Sequence, residues 1–229
     1  MRPVTWSPRT PFVRRRVAEW RRRADESGDL LYVALGDSAA LGVGTRDLDA
    51  SYVGLAAHRL QRLSFRTVRV VNLARYGARA DDVLDRQLDL LVEVEREAGR
   101  PADMVTLDIG GNDAGRTPAD DVDARVRAIV GRLPPHTIVA DLPCFHFGER
   151  EWDARRISQT IADAVHTAGL AFAPLHRVTE YRRGWGSFPD FSWDQFHPSR
   201  LGYRVWDSAY AGAVARRARA LRPDVGGHA

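Results

Sequence analysis

The sequence predicts an α/β protein with a parallel sheet covered by helices on both faces, and three observations predict it. Short apolar runs, each closed by a turn, alternate along the chain with longer segments whose apolar residues recur at helical spacing. The first of these runs, Leu30–Leu35, is apolar or aromatic throughout rather than at every second position, the pattern of a strand buried on both faces. No stretch is rich enough in Gly or Ser to divide the 229 residues, a length that a single core can serve. The expected organisation is an N-terminal extension and helix over 1–28 packed on the main domain, that domain over 29–222, and a loose tail over 223–229.

The elements follow in order. Residues 1–10, with Pro3 and Pro8, read as irregular. Phe12, Val13, Val17 and Trp20 mark a helix over 11–25 whose apolar stripe packs on the body. The first strand is Leu30–Leu35, running into Gly36-Asp37-Ser38. A helix over 51–64 follows, with Ser51 as its cap. The second strand is Val68–Leu73. Asp81–Glu97 is one amphipathic helix, with Val83, Leu84, Leu88, Leu91 and Val94 on one side. The third strand is Asp103–Ile109, and a helix over 120–133 ends at Pro134-Pro135. The fourth strand, Thr137–Leu142, is followed by a helix over 150–168 and a fifth strand, Leu170–Leu175. A long aromatic loop spans about 181–196. The last helix runs from about Arg200 to Leu221, with Pro198 just before its start.

Composition removes several function classes. A 44% hydrophobic and 28% charged chain is ordinary for a soluble globular protein. No run approaches the roughly 18 apolar residues of a membrane span. Met1–Trp6 lacks the apolar core of a secretory signal, so a cytoplasmic location is expected. The single Cys144 rules out an internal disulfide framework and argues against structural zinc. All basic residues are arginine. Arg14–Arg16 and Arg21–Arg23 give the first helix a basic face, read as solvated because no nucleic-acid motif accompanies it.

Parallel sheets of this kind place ligand sites beyond the carboxyl ends of their strands. Ser38 stands after the first strand, Gly77 after the second and Asn112 after the third. Asp194-Gln195-Phe196-His197-Pro198 precedes the last helix. These residues make a chemical set. A serine hydroxyl needs a base at hydrogen-bond distance, and histidine titrates near neutrality. A carboxylate fixes the other ring nitrogen, and Asp194 lies three residues from His197. The N–H groups of Ser38 and Gly77 and the Asn112 amide are candidate donors to an oxyanion. Asp37 and Asp113 are expected to brace their turns. Gly42 and Gly44 read as turn glycines.

On these blocks the chain resembles the SGNH hydrolases, also called GDSL-type esterases and lipases. Gly36-Asp37-Ser38, Gly77 within Asn72–Gly77, Gly110-Gly111-Asn112-Asp113 and Asp194–Pro198 match the family's four blocks in order. The residue after Ser38 is alanine where the family name has leucine, a change that bears on pocket shape. The resemblance implies a three-layer, flavodoxin-like fold with five parallel strands in order 2-1-3-4-5. It also implies Ser38 as nucleophile, Gly77 and Asn112 in the oxyanion hole, and Asp194 with His197 completing a triad that needs no metal and no cofactor.

The expected activity is hydrolysis of small-molecule carboxylic esters through an acyl-enzyme. A carbohydrate deacetylase or thioesterase stays open, as does a non-catalytic acyl- or glycan-binding module on the same fold. There is no Gly-x-Ser-x-Gly elbow, no Gly-x-Gly-x-x-Gly and no Walker loop. Trp185, Phe188, Phe191, Trp193 and Phe196 read equally as core under a long loop or as an acyl pocket. Phe145, Trp193 and Phe196 are the pocket candidates, with Phe147 beside Phe145. Asp141, Cys144 and His146 could hold a metal by residue type, but their spacing matches no metal site and no metal is expected. Cys144 is expected as a small buried hydrophobe. His58, His136, His146, His166 and His176 show no carboxylate pattern and read as structural or surface residues.

Overall fold

The computed structural model describes residues 10–181 and 188–223. The expected irregular start up to Arg9, Trp185 and the tail beyond Pro223 lie outside them. Five parallel strands form one sheet in order β2-β1-β3-β4-β5: β1 Leu30–Gly36, β2 Val68–Asn72, β3 Met104–Asp108, β4 Thr137–Ala140 and β5 Ala171–Ala173. The fold class and strand order expected from the sequence are both present.

Alternate residues of the buried strands feed two separate cores. Leu30, Tyr32 and Ala34 of β1 join the core beneath α1 (Pro11–Ala24), α2 (Tyr52–Ser64) and α7 (Arg200–Ala220). Leu31, Val33 and Leu35 join the other, beneath α3 (starting at Ala80), α4 (Ala119–Val130) and α5 (Glu149–Thr167). Ser51 caps α2 as expected, accepting the Gly54 N–H at 3.1 Å.

Three elements depart from the sequence reading. The helix expected over 81–97 is not uniform: α3 runs as Ala80–Asp82, a π turn over Val83–Gln87, and Leu88–Ala98. The chain after β5 turns at once into a short helix, α6 (Leu175–Glu180), because the Asp141 carboxylate accepts the His176 N–H at 2.8 Å at its first turn. The basic face of α1 is not wholly solvated. Arg16 is buried, with its guanidinium bonded to the Thr45 carbonyl and paired with Glu19 at 3.1 Å. The N–H and C=O groups of a buried loop need partners, and this arginine supplies one.

Three carboxylates stand at the carboxyl ends of adjacent central strands: Asp37 after β1, Asp108 on β3 and Asp141 after β4. Burial pushes all three up, Asp37 to about 6 and Asp141 to about 7. Asp108 is raised further by the charges of Asp37 and Asp141. A folded state that keeps protons the unfolded chain has released loses stability as pH rises from the unfolded value through the folded one. Stability is therefore expected to fall between about pH 4 and pH 7. Asp141→Asn keeps an oxygen for the His176 N–H and removes the ionisation. It is expected to gain up to about 4 kcal/mol at pH 8 and much less at pH 4. Urea denaturation at both pH values checks this, and a variant with the wild-type pH dependence refutes it.

Candidate active site

The site begins with the turn that ends β1. Gly36 has φ of 142°, and a Cβ there would meet the Asp108 carbonyl oxygen at 2.4 Å, so the chain leaves the sheet where only glycine fits. Gln87, on the π turn of α3, clamps this residue from the side. Its Oε1 accepts the Gly36 N–H at 2.8 Å and its amide donates to the Gly36 carbonyl at 2.9 Å. The next turn is braced at three further points. Asp37 Oδ1 accepts the Ala39 N–H at 2.8 Å, the role expected of it. The Trp20 indole of α1 donates to the Leu41 carbonyl at 3.0 Å. The Tyr203 hydroxyl of α7 donates to the Val43 carbonyl at 2.6 Å. Ser38 is thus held on a turn tied to both layers of helices.

The second half comes from the turn before α7. Asp194 Oδ1 accepts the N–H groups of Phe196 and His197, each at 3.0 Å, which folds the segment back on itself. Its other oxygen, Oδ2, lies 2.6 Å from His197 Nδ1. An isolated bridge between Phe191 and Pro198 closes the base of the turn. Gly44 lets this turn approach the serine turn, since a Cβ there would meet the Pro198 carbonyl oxygen at 2.2 Å.

Ser38 and His197 are 159 residues apart in sequence, and their side chains meet: Nε2 is 2.9 Å from Oγ. The Ser38–His197–Asp194 chain of hydrogen bonds is therefore continuous, and both Ser38 and His197 are buried. The Phe196 ring packs edge-on to the imidazole with centroids 5.0 Å apart, and the Tyr76 ring lies at 5.9 Å. Burial pushes the Asp194 carboxyl up, but the bonds from His197 and Phe196 outweigh it and hold the group below its ordinary range. Asp194 stays ionised beside the ring.

The expected oxyanion donors are placed differently from one another. Among the described residues the backbone N–H groups of Ser38 and Gly77 have no acceptor. Gly77 sits at φ of 72° with open space where a Cβ would stand. The Asn112 amide is already engaged, its nitrogen lying 2.9 Å from both Asp37 Oδ2 and the Ala78 carbonyl. Asp113 braces its loop by accepting the Ala80 N–H at 3.1 Å and the Thr117 hydroxyl.

A serine hydroxyl, an imidazole, an ionised carboxylate bonded to that ring and two N–H groups without acceptors lie together on the edge where the four sequence blocks converge. The model of the GDSL-like lipase/acylhydrolase family matches residues 34–205, which contain all of these groups. The chain belongs to that family.

Solved structures share the acylhydrolase fold at low identity. A lipase/acylhydrolase from Enterococcus faecalis superposes with a TM-score of 0.67 at 19% identity, covering 82% of this chain and 96% of that one. The acetylxylan esterase Axe2 from Geobacillus stearothermophilus gives 0.66 at 18%, covering 82% and 95%. TesA gives 0.65 at 19%, covering 82% and 99%. No curated protein sequence matches the chain.

Next to the Ser38–His197–Asp194 chain of hydrogen bonds in this family member lies a cavity of about 280 Å³, reaching Phe196 and Pro198 on either side of His197. Phe145, Phe147, Phe191 and Phe196 line it, so the aromatic loop contributes to a pocket as well as to packing. Trp193 does not line it and is 65% exposed, which corrects its place among the pocket candidates. Phe191, two residues before it, is drawn inward by the bridge, and Asp194, the residue after it, by the histidine, while Trp193 falls on the exposed side of the turn. Phe188 is also exposed.

The remaining candidates settle as structural groups. Asp141 caps α6 and does not approach Cys144 and His146 as a set. Cys144 instead lies with Glu151 and His176, their ligand atoms within 4.8 Å, while Glu151 is committed to the Phe145 N–H at 2.7 Å and Arg155 at 2.8 Å. His176 thus does have a carboxylate neighbour, Glu151 at 3.3 Å, and His58 has Asp49 at 3.1 Å. Neither pair is visible in sequence spacing, because each joins different elements. Gln87 is the main group that the sequence reading passed over. Its signal was a polar side chain on the apolar stripe of α3, between Val83 and Leu91.

Proposed function

We propose that the chain is a serine esterase that hydrolyses carboxylic esters, acyl or acetyl, through an acyl-enzyme intermediate. The observation that carries this reading is the continuous contact from Ser38 Oγ through His197 to Asp194. His197 Nε2 takes the hydroxyl proton as Oγ attacks the ester carbonyl. The carbonyl oxygen becomes an oxyanion and meets the free N–H groups of Ser38 and Gly77. Asn112 joins them by giving up one of its two present acceptors. Each such donor is worth about 2.7–4 kcal/mol in the transition state. As the C–O bond breaks, His197 returns its proton to the leaving alcohol. A water, deprotonated by the same nitrogen, then attacks the acyl carbon, and Ser38 leaves with the proton.

A thioester or a carbohydrate acetate meets the same groups, so a screen over acyl length and leaving group sorts these substrates. The first test is covalent. A fluorophosphonate probe is expected to label the protein stoichiometrically, with the adduct on the peptide carrying Ser38. A well-folded sample that takes no label defeats the enzyme reading and favours a ligand-binding module.

A further inference from the structure

Two charged side chains line the cavity beside the triad, the buried Asp190 and Arg150, the latter on the first turn of α5. Its guanidinium carbon lies 4.1 Å from the centroid of the Phe145 ring and 4.8 Å from that of Phe196. Its Nη2 donates to the Gly111 carbonyl at 2.5 Å, on the loop that carries Asn112. No other N–H of this group finds an acceptor among the described residues, and its Nε is enclosed and unmatched. No carboxylate among the described residues pairs with it, although Arg is otherwise paired widely over this surface.

Such an arrangement is costly unless something offsets it. A cation taken from water without a counter-ion loses hydration that ring contacts replace only in part. Burial is the main reason the Arg150 guanidinium is pulled down to about 10. The neighbouring charge of Arg116 adds to this, and Asp37 opposes it from a distance. Asp37 itself is spent on the Ala39 N–H and the Asn112 amide. The residue thus keeps several N–H donors and a full charge on the wall of the cavity, stacked on Phe196, the residue that precedes His197.

Resting on the serine-esterase reading above, we infer that Arg150 is a specificity-determining residue that selects esters carrying a carboxylate on the part of the substrate seated in this cavity. The planar fork of an arginine matches a carboxylate, and the phenyl rings of Phe145 and Phe196 hold the fork in place and keep water from it. A neutral acyl chain of the same length fills the aromatic part of the cavity and leaves the guanidinium unmatched. A charge-assisted bond of this kind corresponds to a preference of about 10- to 100-fold.

The test compares matched esters. On the acyl side, p-nitrophenyl hemisuccinate is set against p-nitrophenyl 4-methylpentanoate. On the alcohol side, 4-acetoxybenzoate is set against 4-methylphenyl acetate. Enzyme-free rates are subtracted. The ratio of kcat/KM within each pair is measured for wild type, Arg150→Met and Arg150→Lys. In one of the two pairs, the anionic-to-neutral ratio is expected to fall about 10- to 100-fold in Arg150→Met, mostly through KM, with Arg150→Lys retaining part of it. The pair that responds shows which side of the ester occupies the cavity.

Inhibition of the wild type is the second measurement and needs no variant. Glutarate is expected to compete with the neutral ester more strongly than glutaramide does. Ratios that stay at the wild-type value in both pairs, or equal inhibition by glutarate and glutaramide, overturn the assignment. Continued hydrolysis of the neutral esters in that case leaves Ser38 as the nucleophile, so the two readings fail separately.

Discussion

Ser38→Ala is expected to lower kcat on a short p-nitrophenyl ester by about four to six orders of magnitude and to leave the fold intact. The size of the loss follows from the proposed role: without Oγ there is no acyl-enzyme, and the two backbone donors can act only on direct attack by water. The small effect on stability follows from the contacts. The turn is anchored by Gln87 on Gly36, Trp20 on Leu41 and Tyr203 on Val43, none of which uses the serine hydroxyl. What the substitution removes is one hydrogen bond to His197 Nε2, at a cost of about 1 kcal/mol. Hydrolysis rates and thermal unfolding on the same preparation check both halves. A variant that hydrolyses the ester at the wild-type rate ends the assignment of Ser38 as nucleophile.

The parts of this molecule legible in its sequence are those where a local pattern meets a single physical demand. Leu30–Leu35 is apolar at every position because both faces of β1 are covered, and that reads directly as a central parallel strand. The four polar blocks were legible because a strand end is where an α/β sheet exposes loops, and each block follows or precedes such an element. What the sequence hid depends on partners distant along the chain. Asp141 begins α6 from another loop, so Leu175–Glu180 carries no cap signal of its own. Arg16 looks like its exposed neighbours Arg14 and Arg15, and only the position of the Thr45 carbonyl makes it a buried one. Arg150 sits in a charged run, Glu149-Arg150-Glu151, that reads as the solvated start of a helix. In the fold Glu151 turns to the Phe145 N–H and Arg155, and Arg150 alone turns to the cavity.

The same distinction between a group and its setting governs Asp194→Asn, whose kcat is expected to drop about 10⁴-fold with little change in structure. Asp194 does two jobs with two oxygens. Oδ1 folds the turn by accepting the N–H groups of Phe196 and His197, and an asparagine oxygen does this equally well. Oδ2 accepts the proton on His197 Nδ1 at 2.6 Å, and the asparagine presents an N–H there instead. The imidazole must then carry its proton on Nε2, where it points at Ser38 Oγ and cannot accept from it. Geometry survives and the base is lost. Removing the carboxylate altogether by Asp194→Ala also frees the turn, so that variant is expected to lose stability as well as rate. Crystals of the asparagine variant with the imidazole in place, together with kcat within tenfold of wild type, would show that Asp194 only shapes the turn and that His197 finds its tautomer without it.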